Sequence, residues 1–136
     1  MLITRRVEFA ASHACWNPEF GPERNLALYG ETGPYGHGHN FVVEVTLQGD
    51  ADPITGMVFD LKRLKEILNE EVVGPMDHRF LNREVPPFDS VTPTPENIAA
   101  EIWRRVRPRI GNGVRLHGVR VYETEDFYVD YFGDAQ

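Results

Sequence analysis

Two stretches of the chain alternate between apolar and polar positions with a period of two. Over residues 2–13 the odd positions Ile3, Val7, Phe9, Ala11 and His13 form one mostly apolar face, with Arg5 the exception. Over about 38–48 the odd face, led in by His37, reads His39, Phe41, Val43, Val45 and Leu47, and the even positions are more polar. That alternation predicts two strands, each buried on one side. Between them, residues 16–36 are rich in Gly, Pro and Asn, with a short helix near Glu23–Leu28. A loop this long in a small domain is usually functional.

After the turn Asp52-Pro53-Ile54-Thr55-Gly56-Met57 the period changes. Leu61, Leu64, Leu68 and Val72 recur at helical spacing, which predicts a helix over about 60–72 with Asp60 as its N-cap. A Pro-rich stretch, 85–95, leads into a second helix over about 95–109. Thr94 is its N-cap, Pro95 takes the first helical position, and Glu96 suits the helix dipole. Strands over about 114–123 and 126–132 follow.

The order β-β-α-α-β-β, without βαβ alternation, specifies an α+β domain: a four-stranded antiparallel sheet with two helices on one face. Its other face and edges need cover, which a second copy of the chain supplies most simply. The length of 136 residues fits one domain, 1–136, with a core that needs no staples. No apolar run is long enough to span a membrane, and the opening MLITRRVEF reads as strand rather than leader. A lone cysteine, Cys15, excludes an internal disulfide. These features set the expectation of a soluble, cytoplasmic protein. The net charge of −7 argues against a nucleic-acid partner. The cluster Arg104, Arg105, Arg107 and Arg109 is read as a solvated helix face rather than a phosphate site.

The candidate chemistry centres on five histidines. His37 and His39 stand two apart on a predicted strand, so their rings share a face. His13 ends the apolar face of the preceding strand. Pairing of the two strands would gather three imidazoles, the donor set of a catalytic zinc site with an open fourth position, although imidazole suits other transition metals too. By spacing alone, three ordinary core histidines remain an equal reading. Gly38, between two of them, would let a ligand or backbone come close. Asp77-His78 follows the first helix and offers an acid/base pair or an ordinary loop pair. Glu123 continues the face of Val119 and Val121, either as a pocket carboxylate for a guanidine-like edge or as a solvated strand end. Cys15 shares a face with His13 if the strand runs that far, and is read as a small buried hydrophobe before a thiolate.

Taken together, Phe9-Ala10-Ala11-Ser12-His13, Gly36-His37-Gly38-His39-Asn40-Phe41, Asp52-Pro53-Ile54-Thr55-Gly56-Met57-Val58, Pro75-Met76-Asp77-His78-Arg79-Phe80-Leu81-Asn82, Thr94-Pro95-Glu96-Asn97 and Val121-Tyr122-Glu123-Thr124 resemble, in order, the 6-pyruvoyl-tetrahydropterin synthase family. That family also includes the 6-carboxy-tetrahydropterin synthases of queuosine biosynthesis. The resemblance implies the tunnelling fold, with trimers closing a β-barrel and stacking as a homohexamer. It implies zinc on His13, His37 and His39, an acid/base pair at Asp77 and His78, a pterin anchor at Glu123 and a substrate contact at Thr94. The implied substrate is 7,8-dihydroneopterin triphosphate. One piece departs: where the family usually carries its catalytic cysteine, six residues before His37, this chain has Glu31. Members with glutamate there favour cleavage to 6-hydroxymethyl-dihydropterin. The implied product is therefore left open among the 6-pyruvoyl, 6-carboxy and 6-hydroxymethyl pterins, and a non-catalytic pterin binder stands as a further alternative.

Overall fold

Strand β1 (Leu2–His13) and strand β2 (His37–Gln48) pair antiparallel along their whole length, Leu2 opposite Gln48 and His13 opposite His37. This register comes from a computed structural model of the chain, which describes residues 1–31 and 33–133. Between the strands lies α1 (Pro22–Tyr29), and after them come α2 (Leu61–Leu68), α3 (Gly74–Met76), β3 (Arg79–Phe80), α4 (Leu81–Glu84), α5 (Pro95–Val106), β4 (Arg115–Thr124) and β5 (Phe127–Tyr131). The strands form one sheet in the order β3-β1-β2-β4-β5.

The odd faces of the strands form the floor of the core. Phe9, Ala11, Phe41, Val43, Val45, Leu47, Val119 and Val121 are buried beneath Leu64, Ile67, Leu68 and Val72 of the first helical segment and Ile98, Ala99, Ile102 and Val106 of α5. The predicted period-two and helical patterns are thus the two halves of one core. Leu61, assigned to the buried stripe by its spacing, stays partly exposed at the helix start, and Ile67 takes its place in the core.

The sheet has a fifth strand beyond the expected four. β3 is two residues long and runs parallel to β1, Ala11 beside Arg79 and Ser12 beside Phe80. It is drawn there by its approach: Asp77 Oδ1 accepts from the Ala10 N–H at 2.9 Å, and the His78 N–H donates to the Ala10 carbonyl at 2.6 Å. Two residues leave no periodicity to read.

The first predicted helix also changes character. Beyond Leu68 it widens into a π-helix, Asn69–Val73, with the Gly74 N–H reaching back to the Asn69 carbonyl. Pro75 has no N–H to give the Glu71 carbonyl, and that carbonyl accepts from Arg105 Nη1 at 3.3 Å. The second helix ends at Val106, followed by a 3₁₀ turn, Arg107–Arg109, where Pro108 cannot continue the ladder. The arginines answer carboxylates of the chain itself. Arg104 and Arg105 both bond Glu101, and Arg109 bonds Glu70 and Glu71. No helix among the described residues is long and apolar enough to cross a membrane.

Candidate metal centre and active site

At the end of the β1–β2 pair the core face turns polar. The register sets His13 opposite His37 and Ala11 opposite His39, so the three imidazoles stand on one face, as the alternation predicts. β4 brings Glu123 to the same point. The Nε2 atoms of His13 and His37 are 3.1 Å apart, and Glu123 Oε1 lies 3.2 Å from His13 Nε2, 3.0 Å from His39 Nε2 and 3.9 Å from His37 Nε2. All four donor atoms fall within 4.8 Å of one another.

The surroundings orient these rings. His13 is fully buried, and its Nδ1 donates to the Pro93 carbonyl at 2.6 Å, which leaves Nε2 as the lone-pair nitrogen aimed at the cluster. Pro93 is held in turn: Thr94 caps α5 by accepting from the Asn97 N–H at 3.2 Å, and Asn97 Nδ2 donates to the Thr92 carbonyl at 2.8 Å. Phe41 packs edge-on against both His13 and His39. On the other side Asn82 clamps the chain just past His13, accepting from the Ala14 N–H at 2.8 Å and donating to the Ala14 carbonyl at 2.9 Å. Gly36 is required for the same closeness: its φ is +77°, and a Cβ there would sit 2.6 Å from the His13 carbonyl oxygen. Gly38, read from sequence as the close-approach glycine, has only an ordinary contact, 3.6 Å from the Ala11 carbonyl.

The donor set fits a metal ion. His39 Nε2 is buried and makes no hydrogen bond within the described residues, although it faces the Glu123 carboxylate. A buried polar atom without a hydrogen bond is costly unless something else meets it. Burial holds the His39 imidazole below its usual range, Glu123 partly offsets this, and His13 and His37 lower it further. The ring is thus kept in the neutral form that a metal needs.

Asp77 and His78 lie at the rim. With Oδ1 on Ala10, Asp77 turns Oδ2 to 3.6 Å from His78 Nε2, and His78 sits in the left-handed region at φ 60°, its side chain mostly exposed. An open cleft of about 520 Å³ is lined by His39 on one side and His78 on another, with Ser12, Asn40, Arg79 and Phe80 completing its wall. Glu31 lies in an exposed turn before β2, and no metal-binding group among the described residues includes it. β1 stops at His13, so Cys15 is not on the strand face. Burial raises its thiol pKa, and Glu123 and Glu96 raise it further, so it stays protonated. His117 stacks edge-on with Phe132, away from the cluster. Two contributions have no counterpart in the sequence reading, the Pro93 carbonyl and the Asn82 clamp. The only sequence signal was that both belong to, or adjoin, motifs already singled out.

Three imidazoles and a carboxylate at the end of a one-sided sheet, beside an Asp-His loop, define an α+β protein with a candidate metal centre, one of whose residues, His39, also lines a cleft. The sequence matches the 6-pyruvoyl tetrahydropterin synthase family over residues 2–134. It is 42% identical to the human 6-pyruvoyl tetrahydrobiopterin synthase, over 97% of this chain and 91% of that one. It is 35% identical to the dihydroneopterin monophosphate aldolase of Pyrococcus furiosus, over 69% of this chain and 75% of that one. The solved structure of Caenorhabditis elegans 6-pyruvoyl tetrahydropterin synthase superposes with a TM-score of 0.92 at 31% identity, covering 98% of this chain and 96% of that one. The chain belongs to the 6-pyruvoyl tetrahydropterin synthase family and has its fold. It is a lyase of that family.

Proposed function

We propose that this protein holds zinc on His13, His37 and His39 and breaks down the side chain of 7,8-dihydroneopterin triphosphate. The observation that carries this is the convergence of three imidazole Nε2 atoms beside Glu123, one of them buried and without a hydrogen bond, with His39 also lining the cleft that holds His78. Bound there, zinc would supply the Lewis acidity that makes side-chain hydroxyls easier to deprotonate.

The chain's own groups do the rest. Glu123 binds the guanidine-like edge of the pterin as a paired acceptor. Thr94, whose oxygen already accepts from α5, keeps its hydroxyl hydrogen to donate to substrate. Asp77, fixed by Ala10, orients His78, and His78 moves a proton at the cleft rim. Glu31 stands where the family's usual cysteine would and serves as the second base. Carboxylates are ordinarily weaker bases than thiolates. Glu31 is therefore better suited to an already acidified hydroxyl than to a carbon-bound proton, and this favours retro-aldol cleavage. A relative that is an aldolase on a dihydroneopterin phosphate is consistent with that route. 6-Hydroxymethyl-dihydropterin is expected among the products, with less 6-pyruvoyl-tetrahydropterin. The working form is a homo-oligomer, a hexamer of two stacked trimers.

The test is incubation of the zinc-loaded protein with 7,8-dihydroneopterin triphosphate and mass analysis of the products. Glu31→Ala should lose most turnover while keeping its zinc, and Glu31→Cys should shift product toward 6-pyruvoyl-tetrahydropterin. Turnover by Glu31→Ala at the wild-type rate, with unchanged product, would place the base elsewhere.

A further inference from the structure

Glu123 stands where a fourth ligand would. With ligand bonds of about 2.0–2.1 Å, the corners of a tetrahedral site lie about 3.3–3.4 Å apart. Three separations here, 3.1 Å between His13 and His37 and 3.2 and 3.0 Å from Glu123 Oε1 to His13 and His39, are near that spacing; Glu123 Oε1 is 3.9 Å from His37, and all four donor atoms lie within 4.8 Å of one another. Catalytic metal sites of this kind keep one position open for water or substrate. In this chain a side chain reaches into it.

Two further features point the same way. The ion pairs of Glu123 are all with imidazoles, and its side chain is only 22% exposed. A carboxylate this withdrawn from water is costly unless a cation meets it. It also sits at a break in the register of β4 with β5, between Tyr122 and Thr124. Such irregularities re-aim a side chain without moving its strand. A cavity of about 470 Å³ borders the same residue, lined by Arg6, Glu8, Tyr122, Thr124 and Glu125 among others.

We propose that Glu123 closes the metal site in the substrate-free protein and leaves it for the pterin edge when substrate enters, so that one carboxylate links the two binding events. This rests on the zinc site and the pterin substrate proposed above. Because one group serves both, zinc and the pterin ring compete for it. By linkage the competition is reciprocal: each weakens the other's equilibrium binding by the same factor. With the true substrate the incoming side chain refills the vacated position, which hides the competition. Unsubstituted pterin, which has no side chain, exposes it.

The experiment measures zinc affinity by chelator competition, with and without saturating unsubstituted pterin, and pterin affinity with and without zinc. Wild type should show a matched loss in both, and Glu123→Gln should bind zinc about tenfold or more weakly with no remaining effect of pterin. Equal zinc affinity in wild type and Glu123→Gln, or pterin affinity in wild type that zinc leaves unchanged, would overturn the proposal. The second of these needs no variant, so a poorly folded substitution cannot obscure it. Failure of the reading beneath it would look different: zinc affinity untouched in His37→Ala, or no pterin binding by either form of wild type.

Discussion

His13 faces the cluster through Nε2 because Nδ1 is committed to the Pro93 carbonyl. That carbonyl is itself placed by Asn97, whose amide holds the Thr92 carbonyl one residue earlier. Asn97→Ala should therefore loosen the loop and lower zinc affinity by several-fold, up to about tenfold, since partners of metal ligands are typically worth 10–100-fold. Chelator competition reads this, and equal affinities would show that α5 alone fixes the loop. At this scale the sequence was legible where side chains carry the chemistry. The two-residue spacing of His37 and His39, the end of β1 at His13 and the Val119-Val121-Glu123 face all follow from strand alternation. It was not legible where the backbone does the work. A carbonyl such as that of Pro93 leaves no mark in composition or period. The reach of Asn82 to Ala14 spans a separation that only the folded chain closes.

At the scale of elements, arginines tie α5 and the turn after it to the π-helix: Arg105 donates to the Glu71 carbonyl, and Arg109 pairs with Glu70 and Glu71. Glu101 is nearly buried: desolvation pushes its carboxyl up, but hydrogen bonds from Arg104 and Arg105 more than offset this and hold it below its usual value of 4.5. A lowered folded pKa means stability that is present above that usual value and lost as pH falls through the folded one. Glu101→Gln should destabilise the protein by about 1.5–3 kcal/mol at pH 7. It should also flatten the part of the stability profile between the usual and the lowered value, as read by denaturant unfolding across pH. An unchanged acid profile would mean that other carboxylates dominate acid unfolding. The element order and the two long strands were readable from periodicity, because one buried face imposes one period. The π-helix and β3 were not. The first comes from a proline whose missing N–H acts on a carbonyl a full turn earlier, and the second is a loop captured on a strand edge by Asp77.

At the scale of the whole molecule, the sheet face opposite the helices carries Thr4, Arg6, Glu8, Glu44, Arg120 and Asp130, and Arg120 pairs with Asp130 across β4 and β5. A polar face with free strand edges suits closure against further copies of the chain around a wet interior. Light scattering should give a trimer or hexamer of the 15.5 kDa chain, and an active monomer would contradict that assembly. The most direct test lies at the metal centre, where His13, His37 and His39 are proposed to act on a pterin side chain through zinc. Zinc is stripped by a chelator, and turnover of 7,8-dihydroneopterin triphosphate is followed as zinc is returned. The stripped protein should show no turnover, with full recovery at one zinc per chain. Turnover that proceeds equally without metal would contradict it.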